Sequence, residues 1–324
     1  MLFFLFGLFA LGAVVGSFLN VCIWRLPRGE SVLEPPSHCP NCDTRLRPLD
    51  LIPIVSQVAL RSRCRYCGNK ISWRYCGMEV LTGVLFVMAG ALPENFQNNV
   101  FVGDPLRLLQ LLLFVSCLLV IFWIDYETML IPMSAALLLG LAGIGIEAWH
   151  VLIEKQALSP VFFLGFDLLP APLPHSLVAM IVLAGVMWSI GALSSLLLRR
   201  DALGFGDVFL TAAIAANIGW NASLLTFLFL SSTIGVFVGL GLRVPGAISS
   251  WRRAKSSTRL RRQQLARPLF VRSLRKPVPF GPMLAVGALL AVLYGARLNQ
   301  AYMHRFVGDE PTAPNISVSN SVIR

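Results

Sequence analysis

The sequence predicts an all-α polytopic membrane protein with about eight transmembrane helices and one small polar insert. Of its 324 residues, 56% are hydrophobic and only 13% are charged. Several apolar segments reach the roughly 20 residues that a helix needs to cross the hydrocarbon core of a bilayer. The charged residues are concentrated in a few segments between these helices. This composition is not that of an ordinary water-soluble globular domain.

Eight segments are predicted to be membrane helices. In chain order they are 1–23, 78–93, 106–124, 129–149, 175–198, 208–219, 223–242 and 279–296. The first is predicted to be retained because no Lys or Arg precedes Arg25, whereas a secretory signal begins with a positive region. The sixth is short, which is tolerated where a helix is enclosed by protein or lines a cavity. The loop 150–174 contains four prolines and is predicted to be irregular.

The chain is expected to comprise four parts. Residues 1–28 form the first transmembrane helix, and residues 29–77 form the polar insert, which carries four closely spaced cysteines. Residues 78–304 form a membrane-embedded helix bundle. Residues 305–324 are rich in Asn, Ser and Thr and are predicted to be a flexible C-terminal tail.

The distribution of positive charge predicts the orientation of the helices. The net charge is +11, and 22 of the 27 Lys and Arg residues lie in three segments, which are 24–77, 199–200 and 243–278. These segments share one side of the membrane if eight helices alternate, and the positive-inside rule assigns that side to the cytoplasm. The N-terminus is then outside. Anionic membrane lipids are the expected partners of this charge, and no nucleic acid partner is expected.

The polar insert is predicted to bind zinc. Two C-x-x-C pairs are separated by 21 residues, and their members are Cys39, Cys42, Cys64 and Cys67. Two such turns can supply the four thiolates of a tetrahedral shell, which leaves no position for water and is therefore structural rather than catalytic. Disulfides are disfavoured because the insert is assigned to the reducing cytoplasm. A redox-active dithiol and free thiols are the alternatives.

Two aspartates at membrane boundaries are the candidate catalytic residues. Asp125 ends the third predicted helix, and Asp207 follows Gly204-Phe205-Gly206 at the start of the sixth. Alternating helices place both acids at the cytoplasmic boundary, where an acid beside the bilayer is costly and needs a reason. Taken alone, Asp207 is equally suited to be a helix N-cap.

Together, the two carboxylates favour aspartic protease chemistry. Neighbouring carboxylates share a proton, so the ionised one can take a proton from water while the protonated one polarises a peptide carbonyl. Gly204 and Gly206 would let a substrate backbone approach closely. The sequence contains no H-E-x-x-H, G-x-S-x-G or Walker motif, which disfavours the other common hydrolase mechanisms.

These features together resemble the type IV prepilin peptidases, which are GxGD-type membrane aspartic proteases. The resemblance rests on GSFLNVCIWRLPR (16–28), the paired C-x-x-C insert, RYCGMEV (74–80), DYETMLIP (125–132), GFGD (204–207) and PFGP (279–282). These segments extend over most of the chain in the order that the family shows. Two positions depart from the family pattern, because Phe209 stands where Lys is usual and Met133 where Asp or Asn is usual.

The resemblance implies a bacterial inner-membrane enzyme whose catalytic aspartates are Asp125 and Asp207. Such enzymes remove the basic leader of type IV prepilins or type II secretion pseudopilins at the cytoplasmic face. Many members then N-methylate the new N-terminus with S-adenosylmethionine, an activity associated with the cysteine insert. Glu79 is the candidate for a methyltransferase role, and its alternative is an acid that favours the positive end of a helix.

Three other functions remain compatible with the residues. A peptidase without methylation would fail to bind the methyl donor. An ion-coupled transporter would place acids near the bilayer midplane and would leave the cysteine insert unexplained. A non-catalytic assembly protein would hold the two aspartates apart.

Overall fold

The computed structural model describes residues 1–91, 105–153, 160–163, 166–172, 174–198, 203–256 and 279–306. In this part of the chain the helices are α1 (Leu2–Arg25), α2 (Val55–Ala59), α3 (Arg74–Ala91), α4 (Pro105–Thr128), α5 (Met133–Leu152), α6 (His175–Leu198), α7 (Phe205–Ile218), α8 (Ala222–Ser256) and α9 (Gly281–Phe306). All of them except α2 and α7 are long and apolar enough to cross a membrane. The predicted multi-pass helical membrane protein is therefore confirmed.

Helix α7 takes the place of the predicted span 208–219 but is too short to count as a full span. Its 14 residues rise about 21 Å, whereas the hydrocarbon core is about 30 Å thick. Leu210, Ile214 and Ala216 are completely buried, so the helix is enclosed by its neighbours rather than by lipid. The described residues therefore contain seven long helices and one short enclosed helix at the eight predicted positions.

A polar cluster near the C-terminal end of α7 ties this helix to α4 and α5. Asn217 Nδ2 donates to the carbonyl oxygens of Leu139 at 2.7 Å and Ala213 at 2.9 Å. Gln110 Nε2 of α4 donates to Asn217 Oδ1 at 3.2 Å. Side-chain hydrogen bonds of this kind contribute to association between membrane helices. Gly143 of α5 adds a close approach, because a Cβ there would lie 2.6 Å from a backbone carbonyl oxygen of α7.

Helices α1 and α3 form a tight antiparallel pair. A Cβ added to Gly12 would lie 2.7 Å from the Cα of Gly83, and one added to Gly16 would lie 2.9 Å from the Cα of Glu79. Four residues further along α1, Asn20 Nδ2 donates to the carbonyl oxygen of Tyr75 at 3.2 Å. Small residues at four-residue spacing allow membrane helices to approach this closely. The pair therefore carries the polar insert between two helix ends held side by side.

Helix α4 lies at the centre of the bundle. It contacts α1, α3, α5 and α9, and its residues Leu118, Ile121 and Ile124 are at most 2% exposed. Most of the apolar run that precedes Asp125 is thus enclosed by protein. This enclosure fixes the helix end that carries the acid.

The prediction of an irregular loop over 150–174 is wrong for residues 160–163 and 166–172, which form a two-stranded antiparallel hairpin. Strand β1 (Pro160–Phe163) pairs with β2 (Phe166–Pro172), with register irregularities at two points. Valine and phenylalanine favour extended backbone, and prolines are tolerated where a strand has a free edge. Both strands of a two-stranded sheet have such an edge.

Several helices extend beyond the predicted spans. Helix α3 begins at Arg74 rather than 78, α8 continues to Ser256 rather than 242, and α9 continues to Phe306 rather than 296. Hydropathy marks only the apolar part of a helix, so polar turns at its ends are missed. The segments 199–200, 257–278 and 307–324, which include most of the predicted tail, lie outside the described residues.

Candidate active site and metal centre

Asp125 lies in the last turn of α4 and is almost completely buried, with 4% of its surface exposed. Its Oδ2 is buried and has no hydrogen-bond partner among the residues that the structure describes. The helix ends just beyond it, where Met129 adopts a positive φ of 55° and its N–H donates to the Asp125 carbonyl at 2.8 Å. A buried carboxylate oxygen without a partner is costly, which is typical of functional sites.

The N-terminus of α9 faces the Asp125 carboxyl group. The backbone of Gly281, the first residue of α9, interacts with this carboxyl group. A Cβ at position 281 would lie 2.6 Å from Asp125 Oδ2, so only glycine leaves the carboxylate in place. The positive end of a helix favours an anion at this position. The sequence alone does not indicate this role for Gly281, although the PFGP segment that contains it contributes to the family resemblance.

Asp207 is the third residue of α7, and Gly204 rather than Asp207 is the N-cap. The interpretation of Asp207 as an N-cap is therefore wrong. Its carboxyl group interacts with the backbone of Gly204, as an acid at the third helical position can do when it reaches back to the cap. A Cβ at Gly204 would lie 3.5 Å from Asp207 Oδ2. Each aspartate thus faces the positive end of a helix.

The two acids are brought together from different helices. The Asp125 carboxylate interacts electrostatically with that of Asp207, and α9 contacts both α4 and α7. Ile131, in the connection between α4 and α5, packs closely against the start of α7 at Gly206. A Cβ at position 206 would lie 3.2 Å from the Cβ of Ile131. Two neighbouring carboxylates can share one proton, as in the pair of an aspartic protease. The arrangement can therefore supply a general base and a general acid at one place.

Two other acids near membrane boundaries have structural partners. Glu127 forms an ion pair with Arg74, whose guanidinium also lies 4.8 Å from the centre of the Trp123 ring. Glu147 accepts hydrogen bonds from the backbone N–H groups of His175 at 2.6 Å and Ser176 at 2.8 Å, at the start of α6. Both carboxylates are occupied by contacts between helices. This distinguishes them from Asp125.

Glu79 is buried between α1 and the polar insert, with 7% of its surface exposed. Its Oε2 accepts a hydrogen bond from the N–H of Ile54 at 2.7 Å, and Ser17 of α1 also interacts with its carboxyl group. The structure gives Glu79 a fixed set of protein partners. It joins the insert to the α1–α3 pair rather than extending the pair of aspartates.

The four predicted ligands lie together in the insert. The sulfur atoms of Cys39, Cys42, Cys64 and Cys67 all lie within 4.8 Å of one another. The distance from Cys39 Sγ to Cys67 Sγ is 3.9 Å. A tetrahedral zinc site with bonds of about 2.3 Å has sulfur atoms about 3.8 Å apart. The spacing of the four thiols therefore fits a tetrahedrally coordinated metal.

The two C-x-x-C turns have the same backbone structure. The N–H of Cys39 donates to the carbonyl of Thr44 at 3.0 Å, and the N–H of Cys64 donates to the carbonyl of Asn69 at 2.9 Å. In each turn the residue four positions after the first cysteine has a positive φ, at 57° and 70°. Glycine occupies this position in the second turn and accepts it without strain. Each turn therefore presents its two thiols in the same way, and the four sulfur atoms meet at one place.

Hydrogen bonds in these turns favour the thiolate form of Cys42 and Cys64. In Cys67 the hydrogen bond from the Asn69 backbone is outweighed by burial and by hydrogen bonds with the other three thiols, which raise the pKa of this thiol to about 11. The side chain and then the backbone of Thr44 lower the pKa of the Cys42 thiol to about 6. Backbone hydrogen bonds from Cys67 and Tyr66 lower the pKa of the Cys64 thiol. Thiolates are the form that binds metals. The donor set therefore suits a metal in chemistry as well as in spacing.

The two residues that depart from the family pattern lie differently in the structure. Phe209 is partly buried and packs against the apolar core of the bundle. Met133 begins α5 and is 45% exposed. Phe209 thus has a packing role, and nothing in the structure explains Met133.

Two known families match the sequence in consecutive segments. Residues 10–92 match the family described as Bacterial Peptidase A24 N-terminal domain, and residues 112–240 match the Type IV leader peptidase family. The first segment contains the four cysteines, and the second contains Asp125 and Asp207. No solved structure matches the chain.

Three relatives are each named Prepilin leader peptidase/N-methyltransferase. The relative from Myxococcus xanthus is 36% identical over 239 residues, which are 72% of this chain and 61% of the relative. That from Dickeya chrysanthemi is 32% identical over 320 residues, covering 90% of this chain and 94% of the relative. That from Klebsiella pneumoniae is 35% identical over 238 residues, covering 70% and 92%. The chain therefore belongs to the type IV leader peptidase family.

Proposed function

We propose that this protein is a membrane aspartic endopeptidase that removes the leader of type IV prepilins or type II secretion pseudopilins. The observation that carries the proposal is the meeting of Asp125 and Asp207 at the ends of separate helices, with Asp125 Oδ2 buried and unpartnered among the described residues. The membership in the leader peptidase family and the names of the relatives support the same reaction. Asp125 and Asp207 are the proposed catalytic residues.

The proposed chemistry follows from the shared proton of the pair. The ionised carboxylate removes a proton from water, and the water oxygen attacks the peptide carbonyl carbon. The protonated carboxyl group donates a hydrogen bond to the carbonyl oxygen, which stabilises the developing negative charge. Collapse of the tetrahedral intermediate then breaks the C–N bond, and the leaving amine takes the proton that the first carboxylate removed from water. Gly204 is exposed and Gly206 half-buried, so their backbone is available to position an extended substrate.

Exposed apolar side chains near the proposed dyad favour a substrate that enters from the bilayer. Tyr126 is 61% exposed, Leu130 62% and Phe205 71%, and each lies within five residues of a proposed catalytic aspartate. The apolar helix of a prepilin can lie beside such residues within the membrane, while its basic leader stays in the cytoplasm. The bond to be cut then lies at the interface, which is the level proposed for both acids.

A second activity is proposed for this protein, which is N-methylation of the new N-terminus with S-adenosylmethionine as methyl donor. This proposal is supported by the names of the relatives, each of which includes N-methyltransferase. Zinc is the proposed metal of the four cysteines, and it would hold the insert folded without taking part in peptide cleavage. Glu79 stays a candidate for the methyltransferase site, because it joins this insert to the membrane helices.

The proposed location is the bacterial inner membrane with the N-terminus outside and the active site at the cytoplasmic face. The excess of Lys and Arg on one side of the bundle supports this orientation. Prepilins or pseudopilins and anionic lipids are the proposed partners. No role for nucleic acid is proposed.

The test uses purified protein in detergent with a prepilin and S-adenosylmethionine, followed by mass spectrometry. Loss of the leader mass should occur with the wild type and disappear in both Asp125→Asn and Asp207→Asn. Asp43→Asn is the control, since this acid lies exposed on the insert. A further gain of one methyl group would establish the second activity. Full cleavage by either catalytic variant would overturn the assignment.

A further inference from the structure

The polar insert exposes an apolar segment that no described part of the chain covers. Within residues 48–59, which form the Pro48–Leu51 turn and helix α2, five large apolar side chains are well exposed. Their exposed fractions are Leu49 65%, Leu51 40%, Ile52 41%, Val55 61% and Val58 55%. So many exposed apolar side chains within twelve residues of a polar module indicate an interaction surface.

Glu79 holds this segment at the level of the membrane helices. The N–H of Ile54, at the start of α2, donates to Glu79 Oε2 at 2.7 Å. Glu79 lies five residues inside α3, which is about 8 Å along the helix from its start at Arg74. Ile54 has a φ of 63°, which a β-branched residue rarely adopts, so the contact is maintained against a backbone cost.

Two further contacts hold the insert against the ends of α1 and α3. Gln57 Nε2 of α2 donates to the carbonyl oxygen of Ser72, just before α3, at 2.8 Å. Arg25, the last residue of α1, donates to the carbonyl oxygens of Ser31 at 3.0 Å and Pro35 at 2.6 Å. The insert therefore lies at the rim of the bundle and does not project into solvent on a free linker.

The charges around the apolar segment complement an anionic lipid surface. Arg47 and Arg61 flank the segment and are exposed. The one acid within it, Asp50, is already bound to Arg65 at 2.8 Å and to the hydroxyl of Tyr66 at 2.8 Å. An apolar face with cationic flanks is typical of segments that lie in the membrane interface, where cations meet anionic headgroups.

We propose that residues 48–59 insert into the cytoplasmic interface of the bilayer and that Arg47 and Arg61 bind anionic headgroups there. The bilayer interface is the proposed occupant, because the hydrogen bonds from Ile54 to Glu79 and from Gln57 to Ser72 place the segment beside a helix that itself enters the membrane. This inference concerns a surface distant in sequence from the proposed catalytic aspartates. It is independent of the peptidase activity and is tested without substrate.

The experiment places the full-length protein in nanodiscs that contain phosphatidylcholine, phosphatidylglycerol and a small fraction of phosphatidylcholine with a photoreactive diazirine in its acyl chain. After illumination, proteolysis and mass spectrometry locate the labelled peptides. Label is expected within residues 48–59, as well as on α8, where Phe229 and Phe237 are exposed and serve as the internal standard.

The double variant Val55→Glu/Val58→Glu should lower labelling of residues 48–59 about tenfold relative to α8, because carboxylates replace apolar side chains that the proposal places in the lipid interface. Leu33→Glu is the matched control, since Leu33 is 80% exposed in the same insert but outside the segment. Its labelling should equal that of the wild type. Metal content, measured in parallel, should be unchanged in both variants because the substituted residues are exposed.

Three results would overturn the proposal. The first is label on α8 but none on residues 48–59 of the wild type. The second is equal labelling of the wild type and the double variant. The third is protection of the segment from hydrogen exchange only after a prepilin is added, which would make the substrate protein the occupant. Equal labelling without phosphatidylglycerol would overturn the part played by Arg47 and Arg61.

Discussion

Replacement of Gly281 by alanine is expected to disable the proposed catalytic pair without unfolding the protein. The added Cβ would lie 2.6 Å from Asp125 Oδ2 and 3.1 Å from its Cγ. Carbon and oxygen atoms rarely approach closer than about 3.3 Å, so Oδ2 must move by about 0.7 Å. The carboxyl group is buried, and its movement is therefore confined to directions that take it away from the start of α9.

The size of the effect follows from this displacement. A shift of about 1 Å in a reacting group can lower a rate about 100-fold, so kcat/KM for prepilin cleavage should fall on the order of 10- to 100-fold. The fold should persist, because only one short side chain has to move. Gly281→Ala therefore separates the position of Asp125 from the presence of its carboxylate.

The assay measures initial rates of leader removal from a fixed prepilin by mass spectrometry, together with the thermal unfolding midpoint in detergent. Gly77→Ala is the matched control, because a Cβ at this helical position in α3 has no other atom within 4 Å. A Gly281→Ala protein that cleaves at the wild-type rate would refute the reasoning. Loss of cleavage accompanied by a large fall in the midpoint would refute it as well, since the effect would then be on the fold.

Three further predictions concern packing, depth and the metal. Gly143→Ala should lower the thermal unfolding midpoint by overpacking the α5–α7 contact, at a cost of about 1–3 kcal/mol, whereas Gly145→Ala has open space and should not. Asn217→Leu removes three hydrogen bonds of about 0.6 kcal/mol each and should lower both the midpoint and the cleavage rate, measured as above. Cys64→Ser should lose bound zinc, measured by elemental mass spectrometry, while Cys117→Ser in α4 should keep it; retained zinc in the first variant would contradict the assigned site.

The acids of the proposed site could be found from the sequence because their signal is local. Asp125 and Asp207 each border an apolar run, and charge counting placed both runs on a common side. The four thiols could be found for the same reason, since their spacing alone predicts two turns. Functional residues can be identified from the sequence when the pattern that marks them lies within a few consecutive positions.

The partners of these acids could not be found in this way. Gly281 lies far along the chain from Asp125, and only the packing of α9 against α4 shows that it must lack a side chain. The bond from Ile54 to Glu79 likewise joins segments whose patterns are unrelated, and a β-branched residue gives no hint of a positive φ. The sequence predicts the short helix α7, but both Gly204 and Asp207 suit an N-cap, and only the structure shows that Gly204 is the cap.

Helix α7 is attached to α4 and α5 at the end opposite to Asp207, and this affects how the enzyme tolerates membranes of different thickness. Asn217 fastens α7 to α4 and α5, and α4 carries the other aspartate. The difference in membrane depth between Asp125 and Asp207 is thus set by contacts between protein helices and not by contacts with lipid. When a bilayer thins or thickens, the outer helices can tilt to follow it. The two carboxylates should keep their relative depth, because the hydrogen bonds that fix it lie between protein helices.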